Sequence, residues 1–166
     1  MISDAPYETG EMALNPLAGL AAGMMGALLM LAVMFFLGPL RHISPGLLMG
    51  QIGLSLAPSL AKTYSAIGIG CCIHLLVGGV TGLLYALCQD QIPRAALIVV
   101  GFFYGFMLWV LGSFLAGLLF GDALRSSLRS WPWLVAHLLF GVWLATTASW
   151  SQNRRQLGAH RTVPLD

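Results

Sequence analysis

Two histidines stand in the same pattern inside apolar parts of the chain. His74 opens the sequence His-Leu-Leu-Val-Gly, and His137 opens His-Leu-Leu-Phe-Gly. An ionisable side chain at membrane depth is costly to bury, and it often marks a ligand, proton or electron pathway. Two histidines on facing helices could ligate one haem iron, because helix bundles hold cofactors in their cores. His74 and His137 are therefore the candidate cofactor-binding residues, with haem b as the cofactor.

The same two histidines also have a structural interpretation. A neutral imidazole can bond to a carbonyl, hydroxyl or water of a neighbouring helix, and such bonds join helices in lipid. Gly78 and Gly141 follow the histidines by about one helical turn, so a second helix could approach closely there. We expect this structural role and no cofactor. Haem b is the alternative, and a proton or quinone role is a third interpretation.

Other constellations that carry chemistry are absent from the sequence. All six acidic residues lie outside the long apolar stretches, so no Ser-His-Asp set or carboxylate pair can be assembled there. Cys71 and His74 have a spacing that suits a metal, but no second pair completes four ligands. The net charge is only +2 and no Lys/Arg run is present, which argues against nucleic acid. We therefore predict no catalytic residue, no metal site and no enzyme activity.

The composition indicates that lipid is the main solvent of this chain. It is 58% hydrophobic and only 8% charged, whereas soluble domains carry about 25% charged residues. A spanning helix needs about 20 consecutive apolar residues. Four windows without Asp, Glu, Lys or Arg meet that length: 17–38, 66–88, 95–120 and 132–150.

These windows predict an all-α integral membrane protein with four transmembrane helices. The four-helix transmembrane domain is expected over 17–150, after a polar N-terminal tail at 1–16 and before a basic polar tail at 151–166. With an even number of spans, both termini lie on one side. Each side then carries four Lys/Arg residues, so the positive-inside rule does not assign an orientation.

The connection 43–61 lacks charge but contains two prolines and three glycines. Placed on a helix, Ser44, Gln51, Ser55 and Ser59 form one polar stripe, and apolar residues cover the other side. This pattern is typical of an interfacial helix or a re-entrant segment lying on the membrane. A fifth span is the competing interpretation. The connection 121–131 resembles a shorter version of the same segment.

The two halves of the chain resemble each other. Besides the histidine motifs in spans two and four, Gly19-x-x-x-Gly23 in span one matches Gly101-x-x-x-Gly105 in span three. The chain then consists of two span, surface helix, span repeats. An even number of spans per copy gives both copies the same orientation, unlike the inverted repeats of many transporters.

Glycines spaced four apart predict where helices pack. In lipid, helices associate through close backbone approach over small residues. These faces could pack within the four-helix unit or against a foreign transmembrane helix. The predicted helix-packing residues are Gly19, Gly23, Gly78, Gly82, Gly101, Gly105, Gly112 and Gly141.

With its His-Leu-Leu-x-Gly repeats and its Gly101-Phe-Phe-Tyr-Gly105-Phe-x-Leu-Trp segment, the chain resembles small four-helix bacterial inner-membrane proteins of unknown function. The resemblance covers about residues 17–150. It implies a helical bundle in the inner (plasma) membrane with no assigned activity, and it transfers no catalytic residue.

These observations predict a non-catalytic accessory subunit of a larger membrane complex, such as a respiratory or photosynthetic electron-transfer assembly. Its partners would be the lipid bilayer and other transmembrane subunits. A bis-histidine haem b electron carrier is the alternative. A small channel or transporter is a further alternative, disfavoured because the spans contain no charged residue.

The topology can be tested by labelling single cysteines introduced into intact membranes. Residues 89–94 and both termini should react from one side, and 40–44 and 121–130 from the other, because four spans return the chain to its starting side. A reagent that reaches the two termini from opposite faces would favour five spans over four.

Overall fold

The computed structural model describes residues 16–59, 63–120 and 122–161, and this part of the chain contains no β-strand. Four of its helices are long and apolar enough to cross a membrane. The predictions of an all-α chain and of four such helices are confirmed. The predicted tail 1–16 lies outside the described residues except for Pro16. The helices are α1 (Pro16–Leu37), α2 (Pro45–Leu56), α3 (Thr63–Cys88), α4 (Leu97–Phe120), α5 (Asp122–Leu128) and α6 (Trp131–Arg161).

The helix ends follow local sequence signals, with one difference from the prediction. The first helix continues beyond Leu37 as a 3₁₀ turn, Gly38–Arg41, and ends at His42, whose φ of 55° is left-handed. The last helix does not end at residue 150 but continues to Arg161. Residues 151–161 contain no proline and several good helix formers. The first part of the predicted polar tail is therefore helical.

The long helices alternate in direction. Contacts join the start of α1 to the end of α3, and the start of α4 to the later part of α6, so both pairs are antiparallel. At one end of the bundle the His74 ring lies near Trp133, and at the other the Gln152 side chain donates to the Gln89 carbonyl. Helices α3 and α6 are therefore parallel to each other, as the prediction of four successive membrane crossings requires.

Helices α1 and α3 meet backbone to backbone. A Cβ atom added at Gly23 would overlap the carbonyl oxygen of Gly78 and crowd Gly82, and one added at Gly82 would overlap the backbone of Gly23. Gly19 extends the contact, because its missing side chain leaves room for Ala86. These glycines are needed for the close approach that holds helices together without a hydrophobic driving force.

Helices α4 and α6 meet through an equivalent contact. A Cβ atom at Gly141 would overlap the Gly101 carbonyl oxygen, and one at Gly105 would overlap the carbonyl oxygen of His137. Ala145 contacts Gly101 from the next turn of α6. Seven of the eight predicted packing glycines thus lie within these two helix pairs. Of the two roles considered for them, they have the one within the four-helix unit and not the one against a foreign helix.

The two helix pairs make equivalent glycine contacts, but the register predicted between spans one and three was wrong by one helical turn. Gly23 meets the Gly78 carbonyl and residue 82, and Gly101 meets the Gly141 carbonyl and residue 145. Gly101 therefore corresponds to Gly23, and Gly105 corresponds to Ala27. The sequence match failed because alanine is small enough to occupy the second position. The match of His74 with His137 is unaffected.

The two halves differ where they meet each other. On the α1–α6 side, Gly26 leaves room for the rings of Phe140 and Trp143. The position equivalent to Gly26 on α4 is Tyr104, which fills the space between α3 and α4 and donates to the Thr81 carbonyl at 2.7 Å. Glycine in one copy and tyrosine in the other therefore make α1–α6 a tight contact and α3–α4 a wide one.

Helix α2 confirms the predicted helix within 43–61 and has an unexpected direction. Ser44 caps it, with its hydroxyl accepting from the Leu47 N–H at 3.4 Å. Gly53 lies against the Ala66 carbonyl, and the Met49 carbonyl lies against Gly70, so α2 runs antiparallel along the start of α3. This packing follows α3 and is closer to the re-entrant alternative than to a helix lying flat. Ser44, Gln51, Ser55 and Ser59 are exposed, as are the apolar Leu47, Leu54 and Leu56, and a polar stripe that faces the headgroups stays a prediction.

Helix α5 folds back in the same way, but onto the preceding span. The Trp109 indole donates to the Leu128 carbonyl at 2.9 Å, and Ser113 donates to the same oxygen at 3.4 Å. Gly117 leaves room for the methylene stem of Arg125. The second surface helix therefore lies beside about the last three turns of α4 and not beyond its end.

Gly112 is the predicted packing residue that the structure does not place in a contact. A Cβ atom added there would meet no atom within 4 Å. Although Gly112 continues the face of Gly101 and Gly105, α6 begins only at Trp131 and does not reach it.

Gly112 provides a matched control for the packing glycines. Gly23→Leu and Gly141→Leu should each lower the free energy of unfolding by about 1–3 kcal/mol or more, because the added side chain forces two backbones apart. Gly112→Leu, the same change on a spanning helix, should leave it nearly unchanged. Stability against SDS or heat in mild detergent measures the effect; equal losses in all three variants would contradict the assignment.

Candidate functional site

His74 links two helices of the first repeat. Its Nε2 lies 3.2 Å from the Ala27 carbonyl oxygen on α1. A carbonyl only accepts, so the imidazole donates through an Nε2–H tautomer. The contact with Ala27 is possible because Gly78, one turn further along α3, lets α1 approach. This is the bond across a helix pair that the structural interpretation of His74 predicted.

His137 makes a different bond, although it occupies the equivalent position. Its Nδ1 lies 2.8 Å from the Trp133 carbonyl oxygen, one turn earlier on the same helix. Its backbone carbonyl instead faces Gly105 of α4. The imidazole therefore satisfies its donor within α6, and the expectation of a bond across a helix pair is wrong for His137.

Trp133 packs against both histidine rings. Its ring centroid is 6.2 Å from that of His74 and 5.9 Å from that of His137, and its side chain is only 1% exposed. Two axial ligands of one haem need the macrocycle itself between them. The buried indole packs against both imidazoles and occupies space that a macrocycle held by them would need. The residues present do not fit a bis-histidine haem.

Three further side chains bond to backbone carbonyls of another long helix. Tyr85 on α3 donates to the Leu97 carbonyl at 3.3 Å, at the start of α4. Trp143 on α6 donates to the Ala22 carbonyl on α1 at 3.0 Å. Together with Tyr104 and His74, these donors join α1 to α3, α3 to α4 and α6 to α1. They are spread along the structure and do not converge on a reacting centre.

The three cysteines do not form a common site with the histidines. Cys71 is partly buried, Cys72 and Cys88 are exposed, and all three are free thiols. Within the described ranges, no three His, Cys, Asp or Glu side chains come together to hold a metal ion. The Cys71–His74 spacing is thus a consequence of helix geometry, with His74 turned toward α1.

A crevice that was not predicted from the sequence lies at the end of the bundle where α1 begins. It has a volume of about 560 Å³ and lies between α1, α3 and α6, within the range of small-molecule sites. Its walls are mostly Gly and Ala, and its polar groups come from Gln89, Thr147 and Ser151. The signal in the sequence was the coincidence of small residues at the same end of three helices, including Ala18, Ala22, Ala86 and Ala148.

The two histidine bonds predict unequal effects of mutation. His74→Leu should lower the free energy of unfolding by about 0.6–2 kcal/mol, the range for intramembrane hydrogen bonds, because it removes the bond that joins α3 to the Ala27 carbonyl of α1. His74→Gln should be tolerated, since the amide can donate. His137→Leu should cost less than His74→Leu, because the lost bond lies within one helix. Unfolding in mild detergent, followed by circular dichroism, measures all three variants; a larger loss for His137→Leu would reverse the assignment.

Comparison with known proteins identifies one family. The model of a family of unknown function, DUF6789, matches residues 13–158. No curated protein and no solved structure matches the chain. The matched range contains both histidine motifs and both glycine contacts, so the family model describes the whole helical bundle. The chain belongs to the family of unknown function DUF6789.

Proposed function

We propose that this protein is a non-catalytic, multi-pass subunit of a larger membrane complex in the cell inner membrane. In this proposal it binds other transmembrane subunits and lipid, and it stabilises or positions them without chemistry of its own. An electron-transfer assembly of respiration or photosynthesis is the complex we favour.

The observation that carries the proposal is the use of the polar groups within the spans. His74, Tyr85, Tyr104 and Trp143 all donate to backbone carbonyls and connect helices. A transporter or an enzyme in this class usually places ionisable groups along a pathway inside the membrane. Side chains that are committed to internal bonds instead favour a rigid structural part.

The glycine faces are occupied inside the bundle, so a partner would bind elsewhere. Helix α4 has the most accessible apolar face of the four long helices, opposite its contact with α6. Aromatic residues and Met are enriched at protein interfaces. This aromatic face of α4 comprises Phe102, Phe103, Phe106, Met107 and Phe114, which are 39–61% exposed. It is the surface that we assign to the partner subunit.

The alternatives from sequence analysis have less support. A bis-histidine haem b electron carrier would require the buried indole of Trp133 to move from its contacts with His74 and His137. A small channel or transporter would need a polar pathway, and the spans contain no Asp, Glu, Lys or Arg.

The native mass and the absorption spectrum of gently solubilised protein distinguish the three functions. A large assembly with at least one further transmembrane protein is the expected result. Stoichiometric haem absorption in the Soret region would instead support the electron carrier. A colourless small oligomer would remove the support for the accessory subunit and leave the channel or transporter.

Photocrosslinking tests the partner surface within the same complex. A photoreactive residue at Phe103 or Phe106 should link to one defined protein. The same residue at Leu76 on α3, which is also exposed, provides the lipid-facing control. Equal protein adducts at the three positions, or none at Phe103 and Phe106, would contradict the assignment of the aromatic face.

A further inference from the structure

The crevice between α1, α3 and α6 changes in polarity along its length. Ser151 and Gln89 line its outer end, at the end of the bundle where Gln152 donates to the Gln89 carbonyl. Gly82 on α3 and Leu144 on α6 line its inner end, two helical turns or about 10 Å further into the bundle. The crevice therefore has a polar outer end and an apolar inner end.

The crevice is limited at its inner end and open at its side. Trp143 donates to the Ala22 carbonyl at 3.0 Å, which joins α6 to α1 at the inner end. Ala18 and Ala21 on α1 and Trp150 on α6 line the crevice and are exposed. A ligand can therefore enter from the surface beside α1 and α6, and it cannot pass through the bundle.

The polar end lies at the level expected for lipid headgroups in the predicted membrane. Three of the four apolar windows have an end there: 17–38, 66–88 and 132–150. Gln89 and Ser151 lie just outside these windows, whereas Gly82 and Leu144 lie inside them. A ligand in the crevice then has its polar part among the headgroups and its apolar part among the lipid tails.

The hydrogen-bonding groups of the crevice define the chemistry of its ligand. Gln89 is only 8% exposed, and among the described residues its side-chain amide has no partner, which is costly for a buried amide. The hydroxyls of Thr147 and Ser151 donate to carbonyls three residues earlier on α6, both at 2.8 Å, so their oxygens can still accept. No Lys, Arg, His, Asp or Glu is among the described residues that line the crevice.

We propose that the crevice binds the head of an uncharged lipid that carries a free hydroxyl group, such as a diacylglycerol. The ligand hydroxyl donates to Thr147 or Ser151 and accepts from the Gln89 amide. A charged headgroup is disfavoured, because the described lining offers no counter-charge to offset its desolvation. The length of about 10 Å fits the head and the first part of the chains, and the open side at Ala21 leads the rest into the bilayer.

Native mass spectrometry of the purified full-length chain can compare dioleoylglycerol with its acetate, in which the hydroxyl is blocked. Dioleoylglycerol should be retained about threefold to tenfold more strongly, the range that one hydrogen bond contributes within a membrane. The site requires insertion in a membrane, as the proposed function does, but it requires no partner subunit. Protein purified without a partner can therefore report it.

Thr147→Val should reduce this preference, because it removes an acceptor and leaves the shape of the side chain nearly unchanged. Thr146→Val is the matched control, since Thr146 makes the same kind of bond within α6 at 2.8 Å and is not among the residues that line the crevice. Gln89→Leu combined with Thr147→Val should remove the preference. Unaltered circular dichroism of each variant separates loss of binding from loss of folding.

A larger side chain at the open side tests the location of the ligand. Ala21→Trp should lower the retention of dioleoylglycerol, whereas Ala32→Trp, at another exposed position of α1, should leave it unchanged.

Four outcomes would overturn the proposal. The first two are equal retention of the two lipids by the native chain and equal effects of Thr147→Val and Thr146→Val. Retention of dioleoylglycerol only after removal of residues 1–12 would assign the crevice to the N-terminal segment of the chain. A dimer mass that is lost in Ala21→Trp, with no lipid retained by the native chain, would assign it to a second copy.

Discussion

Backbone contact at glycine is the constraint on which the bundle depends. Lipid tails are as apolar as the side chains of the spans, so helices gain little by burying those side chains against each other. What remains is close packing, and the contacts of Gly23 with Gly78 and of Gly101 with Gly141 bring the backbones together in each repeat. That approach also brings His74 within bonding distance of the Ala27 carbonyl. The position of the polar groups is thus a consequence of the glycine contacts.

The sequence was sufficient for the parts of the fold that depend on composition and spacing. The four spanning windows follow from apolar length, and the glycine faces follow from residue spacing, but the sequence did not show which helices pair through them. The correspondence between α1 and α4 in the repeat could not be predicted, because Ala27 stands on α1 where α4 has Gly105. Matching the glycines alone therefore aligned the two helices one turn out of register. The prediction for Gly112 was wrong for another reason. Gly112 lies on the same face of α4 as Gly101 and Gly105, but α6 begins too late along the bundle to reach it. Packing depends on where each helix starts in space, which local patterns do not report.

The site was only partly predictable for similar reasons. Two identical histidine motifs suggested two identical roles, yet His74 bonds to α1 and His137 bonds to its own helix. Their acceptors differ: His74 uses the Ala27 carbonyl across the α1–α3 contact, and His137 uses the Trp133 carbonyl one turn earlier on α6, and the sequence motif specifies neither. The packing of α5 back onto α4 could not be predicted either, because a short polar helix between spans can point in several directions. It is fixed by the Trp109 and Ser113 bonds to Leu128, which join residues far apart along the chain.

The bond from Trp143 to the Ala22 carbonyl joins residues that are 121 positions apart. During synthesis, α1 emerges from the ribosome early, whereas α6 emerges only after nearly all of the chain has been made. During that interval the face of α1 at Ala22 and Gly26 has no α6 to cover it. Closure of the bundle is therefore a late event in biogenesis. In a chain interrupted before Trp143, α1 can pack against α3 but cannot form its bond with α6.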